Sequence, residues 1–95
     1  MYNEHLLFID LHRKRAKEAR EYFTNLLKIL YILKIVFGDS LNIDMEVVFG
    51  RGLHSKNKIP VLKFVVLRQA KRYQDFGYKY KLNKKTANGS MIITF

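Results

Sequence analysis

A chain of 95 residues without cysteine has room for one modest hydrophobic core. It has no access to disulfides, thiolate metal sites or cysteine catalysis. Hydrophobic residues at 48% and aromatics at 14% suit a folded globule, read as one domain over residues 1–95, and the net charge of +10 points to a polyanionic partner.

In chain order, the apolar run Leu6–Leu11 predicts a buried strand. A helix should follow from about Lys14 to about Val36, because Ala16, Ala19, Phe23, Leu26, Leu27, Leu30 and Leu33 recur at spacings of mostly three and four. Gly38 is its natural stop. Ile43–Phe49 begins by alternating and ends apolar, as a second strand that Gly50 and Gly52 break. Pro60 suits the first turn of a second helix with Leu62, Val65, Val66, Ala70 and Tyr73 on its core stripe, ending near Phe76 with Gly77 beyond. Tyr78–Leu82 alternates strictly, Asn88-Gly89 is a turn signal, and Met91–Phe95 closes the chain as a strand. The order of elements is therefore βαβαββ, of the α/β class. No internal repeat is visible.

The charge is unevenly spread. Residues 1–50 hold seven Lys/Arg and seven Asp/Glu, whereas residues 51–85 hold eleven Lys/Arg and one acid, Asp75. A basic second half is the footprint of nucleic acid rather than of a membrane, since no single amphipathic helix carries the charge. The plainer alternative is a solubilising face. The apolar run Leu26–Phe37 is too short to span a bilayer and carries Lys28 and Lys34. Met1 to Leu11 lacks a basic-then-apolar signal layout. The expectation is a cytoplasmic monomer, with the nucleus as the alternative location.

Two strand–helix–strand units predict parallel pairs with right-handed crossovers, so the loops after the first two strands should emerge at one edge of the sheet. That edge is where open α/β sheets bind ligands. It would bring Asp10-Leu11-His12 beside Gly50-Arg51-Gly52-Leu53-His54-Ser55. Asp10 and His12 are two apart, so the carboxylate can orient the imidazole and stabilise its cation, or both can ligate a metal. Gly50 and Gly52 let the backbone approach a ligand, Arg51 offers a planar fork for a phosphate, His54 can transfer protons and Ser55 can bond a phosphate or cap the helix. Taken singly, the first loop also reads as an aspartate satisfying a local hydrogen bond, and the second as a glycine turn with solvated polar residues.

Together the two loops resemble the small MutS-related (Smr) domain, eukaryotic branch. The resemblance rests on Ile9-Asp10-Leu11-His12, Gly50-Arg51-Gly52-Leu53-His54-Ser55, Leu62-Lys63-Phe64-Val65-Val66 and the closing stretch Asn88–Phe95, in the family's order over almost the whole chain. Three positions depart from the pattern. Phe49 stands where the family usually has threonine, Arg13 replaces a glycine after the histidine, and Asn57 and Lys58 replace a glycine pair. The first removes a hydroxyl, and the others favour anion binding.

The resemblance implies a fold like the C-terminal domain of a bacterial translation initiation factor, a four-stranded mixed sheet under two helices. It implies nucleic-acid binding and, in several branches, endonuclease activity, which in eukaryotic members acts on messenger RNA at stalled ribosomes. Such relatives usually reach the ribosome through ubiquitin-binding or helical regions, so this chain is read as a stripped-down protein or one domain of a longer one. On this reading RNA, and through it the ribosome, is the partner. Asp10, His12, Arg51 and His54 are the catalytic set, with Asp10 orienting His12, the two histidines sharing proton transfer and Arg51 on the scissile phosphate. Arg13, Gly50, Gly52, Ser55, Lys56, Lys58, Lys63, Arg68, Lys71 and Arg72 would hold the nucleic acid. The 2′-hydroxyl would be the nucleophile and no cofactor is needed; a Mg²⁺ variant with Asp10 as ligand is the alternative. The rival functions are a non-catalytic RNA- or ribosome-binding module and a DNA-nicking repair domain.

Overall fold

A computed structural model describes residues 5–50, 61–86 and 89–95. Strand β1 is His5–Asp10, helix α1 Ala16–Phe37, strand β2 Ile43–Val48, helix α2 Val61–Arg72, strand β3 Lys79–Leu82 and strand β4 Ser90–Thr94. The expected βαβαββ order is present. The strands form one sheet in the order β1-β2-β4-β3, with β1 parallel to β2 and β4 antiparallel to both its neighbours. Consequently β1, β2 and β3 all run one way. Both helical crossovers step in the same direction across the sheet, so right-handed connections put both helices on one face.

Burial along β2 shows which face that is. Ile43, Met45, Val47 and Phe49 are buried, while Asp44, Glu46 and Val48 between them are half-buried on the other side. Met91 and Ile93 of β4 lie opposite Val47 and Met45 and share their face. Against this apolar surface α1 presents Ala19, Phe23, Leu27 and Leu30, and α2 presents Val66 and Ala70. Each large side chain so buried contributes roughly 1.5–3 kcal/mol. The opposite face carries Phe8, Glu46, Ile92 and Lys81 in one row across the strands.

The helix ends differ from expectation in informative ways. α1 begins two residues late, at Ala16, because the amide of Lys14 bonds to the Leu11 carbonyl in a turn and the Arg15 amide reaches the Glu18 carboxylate as an N-terminal cap. Ala16, expected in the core, is therefore exposed. α1 ends at Gly38, whose positive φ of 61° suits glycine. α2 stops at Arg72 rather than near Phe76. The Ala70 carbonyl, which a continuing helix would give to the amide of residue 74, accepts the Tyr78 hydroxyl at 2.6 Å, and Gln74–Phe76 tightens into a 3₁₀ turn before Gly77. Burial pushes the Tyr78 phenol well above its usual pKa, so it remains a donor. The expected helical start at Pro60 lies outside the described residues.

Candidate active site

The carboxyl edge of β1 and β2 is assembled by main-chain bonds. The Leu11 amide donates to the Val48 carbonyl at 2.7 Å, which continues the parallel ladder one residue past β1. Leu11 is fully buried and anchors that end from below. The chain then turns, and His12 comes out exposed above the core. On the neighbouring strand Gly50 has φ of +82°, a conformation that strains any residue with a side chain. A methyl group built on Gly50 would sit 3.6 Å from the His12 Cβ. The two sequence motifs thus meet where topology said they would, at least as far as Gly50. Arg51, Gly52, His54, Ser55, Lys56 and Lys58 lie outside the described residues.

Asp10 and His12 form a bonded pair. Asp10 Oδ1 accepts the His12 backbone amide at 3.0 Å and lies 2.5 Å from the ring nitrogen Nδ1. The amide bond is the main reason the Asp10 carboxyl is held below its usual pKa; desolvation opposes it, and the His12 ring and the positive charge of Arg13 add smaller contributions in the lowering direction. An ionised carboxylate only accepts, so Nδ1 carries the proton. On the other side of the ring, the Arg13 Nε–H donates to His12 Nε2 at 3.1 Å. Nε2 must then offer a lone pair. The two bonds fit an imidazole with Nδ1–H toward Asp10 and the Nε2 lone pair toward Arg13. Both side chains of the pair are 44% exposed.

A polar network behind the edge escaped the sequence reading. Glu46 Oε2 accepts from Asn83 Nδ2 at 3.0 Å and from the buried Ser90 hydroxyl at 2.7 Å, and Thr86 Oγ1 lies 2.9 Å from Ser90 Oγ. These bonds fix the turn between β3 and β4. In that turn the Gly89 carbonyl accepts the amides of both Phe49 and Gly50, at 3.1 and 2.9 Å. The network therefore sets where β2 ends and how the chain departs at Gly50. Its one sequence signal was Glu46, an acid between the apolar residues Met45 and Val47. Phe49, which stands where the resemblance calls for threonine, has its side chain buried in the core.

The predicted phosphate-holding cations divide. Arg68, Lys71 and Arg72 are exposed and line a groove between α1 and α2, whereas the half-buried Lys63 is not part of that groove. Arg13 is at the edge, bonded to His12. Among the described residues no three His, Asp or Glu side chains cluster as a metal site, and no helix is long and apolar enough to cross a membrane. Comparison with protein-family models, with curated proteins and with solved structures gives no match.

Proposed function

We propose that the chain is an RNA endonuclease domain of the small MutS-related type that cleaves by a mechanism needing no metal. The observation that carries this reading is the Asp10–His12 pair, in which the carboxylate orients the imidazole through Nδ1 at the exposed carboxyl edge of the sheet. In the proposed step His12 Nε2 takes the proton of a 2′-hydroxyl. That oxygen attacks the adjacent phosphorus, the bond to the 5′ oxygen breaks, and cationic His54 gives its proton to the departing oxygen. Asp10 stabilises the imidazolium that forms on His12. Arg13, which donates to Nε2 in the free protein, turns to the incoming phosphate, and Arg51 joins it on the charge that builds there. By the same resemblance the proposed substrate is messenger RNA at the ribosome.

One contact favours the rival, a binding module without catalysis. The lone pair that must accept the proton is already engaged by Arg13. The test is incubation with end-labelled single-stranded RNA, with and without EDTA, beside His12→Ala. The mechanism requires EDTA-resistant products ending in 2′,3′-cyclic phosphate and 5′-hydroxyl, and their loss in the variant. A 5′-phosphate with strict magnesium dependence supports the Asp10-metal alternative. DNA cleavage also contradicts the mechanism, because DNA lacks the nucleophile. Tight binding without any cleavage supports the module.

A further inference from the structure

The groove between α1 and α2 encloses about 1100 Å³ and opens to solvent on the helical side of the molecule. Its walls carry Arg20 and Lys28 from α1 and Arg68, Lys71 and Arg72 from α2, against a single acid, Glu21. Two adjacent helices would gain from opposite charges across their seam. Here the seam is cationic on both sides. Among the described residues no Lys or Arg forms a salt bridge with a carboxylate, so none of these five cations is paired with one. Arg20 and Lys28 belong to the half of the chain whose charges sum to zero. Only the packing of α1 on α2 adds them to the basic half.

Two further features match a single-stranded nucleic acid. The floor is polar at one point, where the buried Gln69 amide donates to Thr24 Oγ1 at 2.6 Å. Flat aromatic surface is also present: Phe64 is 58% exposed, and Tyr73 has Lys28 Nζ and Arg72 Cζ at 5.9 and 5.7 Å from its ring centre. Cations that track a backbone, interleaved with aromatic faces on which bases stack, are the recurring design for single strands. Both helices start at the carboxyl edge of the sheet, so the groove between them leads to that edge.

We propose that this groove binds single-stranded RNA, with Arg20 and Lys28 facing Arg68, Lys71 and Arg72 across the phosphates, and delivers the strand to the Asp10–His12 edge. The proposal rests on the endonuclease reading and names the track by which substrate reaches that site. An acidic peptide is the competing occupant, and it would have no use for the aromatic faces.

The test measures binding of a short, fluorescently labelled RNA, 2′-O-methylated throughout so that it is not cut, over a range of salt. Arg20→Gln/Lys28→Gln should weaken binding at least about tenfold at low salt and reduce the slope of log affinity against log salt by roughly 1.4, at about 0.7 for each single-strand phosphate no longer neutralised. Arg68→Gln, on the facing wall, should act in the same direction. Lys79→Gln/Lys81→Gln, two exposed lysines on the bare face of the sheet, should leave affinity within about twofold. All are exposed positions, and unchanged melting temperatures confirm folding. If the wild type binds and cuts RNA but the α1 variant binds normally, the groove is overturned and the endonuclease reading stands. Equal losses in the α1 and β3 variants also overturn the groove in favour of diffuse attraction. Polyglutamate that competes as well as RNA, with the same dependence on Arg20 and Lys28, overturns it in favour of an acidic protein. A wild type that neither binds nor cuts RNA overturns both proposals.

Discussion

The carboxyl edge and the helical groove are made from different materials. At the edge, Asp10, His12 and Gly50 are held by backbone: the Leu11 amide on Val48, the His12 amide on Asp10, and the Phe49 and Gly50 amides on Gly89. In the groove, the chemistry sits at the ends of five long side chains that the backbone merely points in one direction. The contrast matches what the two proposed tasks would need. Proton transfer fails when a nitrogen moves by an ångström, and an edge of short side chains and main-chain bonds suits that demand. Electrostatic attraction to a polyanion falls off over roughly 8–10 Å in ordinary salt, so the groove tolerates loose placement. Substitutions at the edge should be steep and specific, and those in the groove shallow and graded.

The largest effect should come from His12→Ala. Removing a general base typically costs 10²- to 10⁴-fold in rate, or about 3–5 kcal/mol of barrier, and RNA affinity should change little. A cleavage assay paired with the binding titration separates the two. A variant that loses binding and keeps its rate would reverse the roles of edge and groove.

Next is Glu46→Ala, which tests whether the edge is held from behind. The change removes the acceptor that the buried Ser90 hydroxyl and the Asn83 amide share, leaving Ser90 only Thr86 Oγ1, and should cost about 1–3 kcal/mol in urea unfolding. Glu46→Gln, which retains an oxygen, should cost less. Cleavage should fall in Glu46→Ala even under conditions where the protein remains folded, because Gly89 no longer fixes Gly50. Unimpaired cleavage in a folded Glu46→Ala protein would detach the network from the site.

Smaller again is Lys71→Glu/Arg72→Glu, which should weaken RNA binding several-fold for every sequence tried, with a shallower salt dependence and little change in the rate of bound substrate. Binding that ignores salt would remove the electrostatic account of the groove.

The smallest effect is on acid stability. The folded-state pKa of Asp10 is lowered from its usual 3.8, so its ionised form contributes stability that is present above about that pH. The contribution is lost as pH falls through the lowered value. Because the pair is 44% exposed, solvent screens it and the amount is small. Comparing melting temperatures of the wild type and Asp10→Asn, the gap should be constant near neutral pH and close in strong acid. A gap that instead opens as pH falls would mean that Asp10 is protonated in the folded state, and the tautomer assigned to His12 would fail with it.

Much of the molecule was legible in the residues. Alternation and helical spacing located all four strands and both helices, because burial on one face imposes a period that the chain must display. The right-handed crossover rule then predicted that Asp10-Leu11-His12 and Gly50 would meet, and they do. The early end of α2 was not legible, because it depends on the Tyr78 hydroxyl returning to a carbonyl eight residues back. Nor was the role of Arg13, whose bond to His12 Nε2 decides which nitrogen is basic.

What the sequence determined by itself was local: the period of each element, the glycine at the end of β2, the Asp-Leu-His spacing and the excess of charge after residue 50. Each depends on neighbours within a few positions along the chain. Tertiary structure alone decided that β4 enters between β2 and β3, that Glu46 meets Asn83 and Ser90, and that Arg20 and Lys28 face Arg68 and Arg72. These pairings join residues 37 to 52 positions apart. No periodicity in a sequence encodes them, because they are fixed by which apolar faces pack together and not by the polar groups that packing brings into contact.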